Sequence, residues 1–230
     1  MWYDIPALEP EKFLSFMQIF WHGLSSVRIE AKQADTEVTL LTDPYSNDTG
    51  LRFPRTVEPD VLVLSHQNRK LFNLEGAGGS PFIVSDPGEY EVKEMFVHGI
   101  QDRNADKETL RPLIYRFSCE GISLAFLGQL KRKPTDDEIE QLGDIDILML
   151  PVGGGSVMDA KMAADVITTI EPRLVIPLSY GVPGLKESLG GVDAFIKNLG
   201  ATKRQDASKL KIAKKDLPAD DMIITVLERA

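Results

Sequence analysis

The chain has 230 residues, 43% hydrophobic and 27% charged, with its Gly and Pro spread along the length. This excludes a collagen-like or disordered class and leaves ample chain for a real core. The formal net charge of −9 opposes a general role on nucleic acid or on an anionic membrane, since both need a basic surface, and the single cysteine, Cys119, excludes an intrachain disulfide framework and a cysteine-built zinc site.

In chain order, residues 1–13 are acidic and proline-bearing, unlike a secretory signal, and no later stretch reaches the apolar length of a membrane span; a reducing cytoplasm is the expected location. Alternating or continuously apolar runs then predict strands over 17–21, 26–31, 37–43, 60–65, 81–85, 95–100, 113–118 and 122–128, the last two joined by a tight turn at 119–121. From there the period changes. Residues 135–143 predict a short helix with Thr135 as N-cap, acids in the first turn and a terminal Gly143. A strand follows over 145–151, a helix over 157–172 ending at Pro172, a strand over 174–180, a helix around 191–200 and a last strand over 221–228. The basic run 203–215 reads as a solvated face. Hairpins first and β-α-β units later make an α/β fold built in layers, with no linker or repeat to divide it.

In such folds ligands gather where strand ends meet loops. Three runs share that form, passing abruptly from apolar to polar: VLVLSHQN at 61–68, ISLAFLGQL at 122–130 and LVIPLSY at 174–180. Other polar features have blander readings. Asp43-Pro44 and the acids of 86–90 cap turns. Gly153-Gly154-Gly155 lacks the spacing of a phosphate loop. Ser25 and Ser179 have no His–acid partners in motif context. His22 and His98 read as core or surface residues, and Cys119 as a buried residue rather than a nucleophile.

Taken with IFWHGLSSVRIE at 19–30, TDPY at 42–45, DPGEYEV at 86–92, IDILMLPVGGG at 145–155 and VIPLSYG at 175–181, these stretches make the chain resemble the metallo-β-lactamase fold superfamily. The likeness is to its small cytoplasmic hydrolases related to ascorbate-6-phosphate lactonase. It implies a four-layer αβ/βα sandwich, with residues 1–16 as an N-terminal extension and 17–230 as one domain. The family's metal site uses Ser/Thr-His-x-His-x-Asp-His, a further mid-chain His, the Asp of Leu-Gly-Asp and the His of Ile-Pro-x-His-Tyr. Carried over by position, only His66 survives. Asn68, Lys70 and Leu71 take the next three places, the mid-chain ligand falls near Arg103-Asn104, Gln129 replaces the Leu-Gly-Asp acid and Ser179 replaces the last His. The family's Gly-His-Ser reads Gly23-Leu24-Ser25.

Zinc needs about three His or carboxylate ligands, whereas amides are poor ligands and leucine is none. The resemblance therefore implies no metal and no cofactor. His66 becomes a hydrogen-bonded structural residue, in a vestigial pocket made by His66, Asn68, Lys70, Leu71, Asn104, Gln129, Ser179 and Tyr180. Either Lys70 replaces the metal's charge there and the pocket takes an anion, or the pocket has filled with compatible side chains, Leu71 plugging part of it. The function expected is a non-catalytic binding, regulatory or assembly role with a protein partner or a small anionic ligand. The alternative is a hydrolase of phosphoesters or lactones with a rearranged or metal-free site. Because related proteins often self-associate, a homo-oligomer is also expected.

Overall fold

The computed structural model describes residues 16–33, 36–55, 57–103, 111–200 and 203–230. Of the expected N-terminal extension only Phe16 falls among them.

The alternating apolar runs form one sheet from β1 (Phe16–Gly23), β2 (Ser26–Gln33), β3 (Thr36–Thr42), β4 (Val61–Val63), β5 (Phe82–Val84) and β13 (Leu210–Ile212), in the order β13-β1-β2-β3-β4-β5. The second sheet has eight strands: β6 (Gly88–Val92), β7 (Met95–Ile100), β8 (Ile114–Cys119), β9 (Ile122–Phe126), β10 (Ile147–Pro151), β11 (Leu174–Leu178), β12 (Lys203–Ala207) and β14 (Ile223–Leu227), in the order β12-β14-β11-β10-β9-β8-β7-β6. Pairing is antiparallel through the hairpins β6 to β9 and parallel from β9 through β10 and β11 to β14. Three helices accompany the parallel half: α1 (Asp136–Leu142), α2 (Ala160–Ile170) and α3 (Val192–Leu199).

Side-chain alternation decides what each face of the first sheet touches. Met17, Ile19 and Trp21 of β1, Val27 and Ile29 of β2, and Val61 and Val63 of β4 point into one buried cluster shared with Tyr115, Phe117, Leu124, Phe126 and Met149 of the second sheet. This inter-sheet layer is the core. Tyr115 crosses it, its hydroxyl donating to the Leu64 carbonyl at 2.7 Å. Leu41, Leu62 and Leu64 point the other way, into a second cluster with Tyr45, Leu51, Phe53, Val57 and Phe72. Here the covering layer is made of connecting segments with short 3-10 turns at Asn47–Thr49, Arg69–Leu71 and Leu74–Gly76 rather than α-helix. On the far side α1 packs on β7 and β8, α2 on β10 and α3 on α2. The layering is thus the expected α/β sandwich of two facing sheets, with one outer layer pared down to loops.

The helix ends follow the local sequence. Thr135 and Glu138 form a reciprocal capping box, and Arg132 holds the buried Glu138 carboxylate by two hydrogen bonds of 2.6 and 2.7 Å. The second helix begins at Ala160, with Asp159 as its N-cap, rather than at 157. Three strands depart from expectation. The acidic stretch at 88–92 is β6, and the basic run expected as a solvated face supplies β12 and β13. All three are sheet edges. Among the described residues no helix is long and apolar enough to cross a membrane.

Phe117 is fully buried between Tyr115 and Phe126, ring centroids 6.1 and 6.2 Å away. Phe117→Ala is expected to lower the unfolding free energy by about 3–5 kcal/mol in urea titration. Phe96→Ala, at a side chain 52% exposed on β7, should cost below about 1 kcal/mol; equal losses would contradict the layer assignment.

Candidate functional site

The loops after β1, β3, β9, β10 and β11 open onto one cavity of about 210 Å3, lined by Leu24, Ser25, Asp43, Tyr45, Leu71, Phe72, Gln129, Ser156, Ser179 and Glu187, among others. It lies where strand ends should deliver polar side chains. At its floor Asp43, 1% exposed and with a left-handed φ of 38°, accepts two hydrogen bonds from Ser65: from the backbone N–H at 2.7 Å and from the hydroxyl at 2.6 Å. Gly128 presses against this pair, since a Cβ there would collide with the Ser65 Cβ. Burial pushes the Asp43 pKa up from 3.8 to about 6, even though Ser65, Ser25 and Gln129 all favour its charged form.

Of the expected pocket residues, Leu71, Gln129 and Ser179 do line this cavity. Ser179 is buried with φ 49°, and its N–H donates to the Leu24 carbonyl at 3.1 Å. Leu71 does not plug the space: it is 56% exposed, because the 3-10 turn that carries it sits at the rim. Lys70, expected to aim its charge inward, is exposed on that same turn and is absent from the lining. Asn68 is the N-cap of the turn, its side-chain oxygen accepting the Lys70 N–H at 3.3 Å. His66 is half-buried outside the lining, and burial lowers its pKa. Tyr180 belongs to the core, stacked on Trp21 at 4.7 Å with its hydroxyl donating to the Leu227 carbonyl at 3.3 Å. Asn104 lies outside the described residues. Cys119 is buried, and its thiol is pushed up to about 11, as befits a packed residue.

A family model for the beta-lactamase superfamily domain matches residues 18–179. The chain belongs to the beta-lactamase superfamily. A UPF0173 protein of Pyrococcus furiosus is 36% identical over 192 residues, which are 72% of this chain and 84% of that one. A UPF0173 metal-dependent hydrolase of Anoxybacillus flavithermus is 21% identical over 212 residues, 88% of this chain and 94% of the relative. Among solved structures, a metallo-β-lactamase superfamily protein of Thermotoga maritima superposes with a TM-score of 0.72 at 27% identity, covering 92% of this chain and 100% of its own.

A metal ion is what such relatives' names imply, and the donors near this superfamily member's cavity do not fit one. Among the described residues no group of three or more His, Cys, Asp or Glu could hold a cation. His66 accepts the Asn68 N–H at Nδ1, 3.0 Å away. A neutral imidazole accepting at Nδ1 carries its proton on Nε2, so neither nitrogen has a free lone pair. The Asp43 oxygens are committed to Ser65, and Glu187 accepts the Ser156 N–H at 3.2 Å. Ser156 and Glu187 carry no motif that marks them in the sequence; Ser65 stands first in the Ser/Thr-His-x-His stretch and Asp43 reads as a turn cap, and nothing in the sequence joins the two.

Asp43 makes a pH test. Between its ordinary value of 3.8 and about 6 the folded chain holds a proton that the unfolded chain has released, so its stabilising contribution is full at acid pH and is lost as pH rises through about 6. Relative to Asp43→Asn, which does not titrate, the parent should gain about 2 kcal/mol in urea unfolding as pH falls from about 7.5 to about 4. A difference that stays flat across this range would contradict it.

Proposed function

We propose that this superfamily member has given up metal-dependent hydrolysis and works as a non-catalytic binding, regulatory or assembly protein. The observation that carries the reading is the engagement of His66: the one histidine retained from the metal motif spends Nδ1 on the Asn68 N–H. The neighbouring positions support it in the same way. Asn68 caps a turn, Lys70 and Leu71 face solvent, and the strand ends at Gln129 and Ser179 offer an amide and a hydroxyl. Neither holds a transition metal well, and an open catalytic zinc site needs about three stronger ligands. The name metal-dependent hydrolase describes relatives that share the fold.

A rearranged hydrolytic site would need an activated nucleophile. Ser25 is hydrogen-bonded to the Asp43 carboxyl group, yet among the described residues no histidine is hydrogen-bonded to Ser25 or Ser179, so the Ser–His–acid relay of a serine hydrolase is not assembled. What remains is a small cavity with polar walls and a carboxyl group that titrates near neutrality. That composition suits a compact polar ligand.

Dialysis against Zn2+ or Mn2+ followed by metal analysis tests the proposal. The expected result is well below one ion per chain, unchanged by His66→Ala, with no turnover of a phosphodiester or a lactone. One ion per chain that is lost in His66→Ala, or turnover that follows metal loading, overturns it.

A further inference from the structure

A second cleft, of about 580 Å3, lies beyond Tyr45 on the outer side of the six-stranded sheet, and its lining includes His22, Arg28, Arg52, Arg55 and Arg229. Four arginines converge there on a chain whose net charge is −9. Among the described residues only Arg28 forms an ion pair, with Glu30 at 3.2 Å, and its Nε makes no hydrogen bond. Arg52, Arg55 and Arg229 pair with no described side-chain carboxylate. Arg229 is held in place: it bridges to Trp21 beside β1, and it donates to the Arg52 carbonyl at 3.4 Å.

The second observation is His22. It is 3% exposed and lines the cleft, yet neither ring nitrogen has a hydrogen-bond partner. The Ala230 backbone approaches the ring without reaching hydrogen-bond geometry. Burial and the charges of Arg28 and Arg229 lower its pKa to about 4, so at neutral pH it is an uncharged donor with nothing to donate to. A buried polar group left unpaired, beside guanidinium groups left unpaired, is the arrangement an anion completes.

We propose that the cleft lined by His22, Arg28, Arg52, Arg55 and Arg229 binds a small phosphate-bearing anion. A lone carboxylate is satisfied by one guanidinium, whereas phosphate spreads about two charges over three acceptor oxygens and takes several forked donors together. The site is independent of the first cavity. Tyr45 lines that cavity and stands between the two, its hydroxyl donating to the His22 carbonyl at 2.5 Å. Metal content and hydrolysis at the first cavity therefore leave this proposal untouched.

Calorimetric titration of the full chain with inorganic pyrophosphate at low ionic strength tests it. Saturable binding is expected, weakened about tenfold or more by Arg229→Gln and measurably by His22→Phe, while Lys197→Gln, on α3, changes it less than about twofold. Melting curves verify that each variant is folded. If AMP competes with pyrophosphate and the protein does not pellet with vesicles, the ligand is a soluble phosphate compound; if it pellets with phosphoinositide vesicles and pyrophosphate releases it, the ligand is a lipid headgroup. Either result upholds the site. Absence of saturable binding, or equal weakening by Arg229→Gln and Lys197→Gln, overturns it.

Discussion

The Asp43 carboxyl group is buried and joins no ion pair among the described residues, yet the ends of β3 and β4 are tied together through it. Both its oxygens accept from Ser65, and Gly128 closes over the pair from the end of β9. A buried charge without a partner is costly, and the chain answers by raising the carboxyl pKa towards 6. The junction holds in either protonation state, because the hydroxyl and N–H of Ser65 satisfy a carboxylate and the Ser65 oxygen can accept from a carboxylic acid. Three strand ends thus keep their relative positions through contacts between the protein's own groups. On the proposed reading, in which these strand ends no longer carry metal ligands, the scaffold of the site and the chemistry of the site are separable.

On the proposed reading, that separation lets the fold persist while the donors change. In a metal site, second-shell hydrogen bonds orient each ligand towards the ion. Around His66 the hydrogen bonding runs the other way: the Asn68 N–H occupies Nδ1, and the Asn68 side chain in turn caps the 3-10 turn that carries Lys70 and Leu71 outward. The segment is stabilised by its own backbone.

The sequence made the central strands legible because burial on one or both faces forces apolar residues at period two or in continuous runs, as in β4, β8, β10 and β11. The edges were hidden for the opposite reason. In β12, Lys203–Ala207, four of five residues are exposed, and it pairs only with β14; in β6, Gly88–Val92, no residue is fully buried. Charged edges are what soluble sheets use to block further pairing, so their composition resembles loop. The pocket was half legible. Position along the chain located Gln129, Ser179 and Leu71 at its wall, but side-chain direction was set by a 3-10 turn for Lys70 and by stacking on Trp21 for Tyr180, neither of which leaves a periodic trace.

His22, read from the sequence as a core or surface residue, lies at one local feature that links both clefts. The β1–β2 register passes from Trp21 opposite Val27 to Gly23 opposite Ser26, which leaves His22 as the extra residue of a bulge. Both Trp21 and His22 are buried, Trp21 against Tyr180 in the core and His22 among the arginines on the other face. Gly23 then adopts φ 118°, and a Cβ there would sit 3.1 Å from both the Tyr45 hydroxyl and the Arg229 side chain. Leu24, at φ 50°, turns the chain so that Leu24 and Ser25 reach the first cavity. Within five residues the chain therefore serves the core, the arginine cleft and the strand-end cavity in turn. The position that makes this possible is a glycine, because only a residue without a side chain lets Tyr45 and Arg229 close on the bulge from either side.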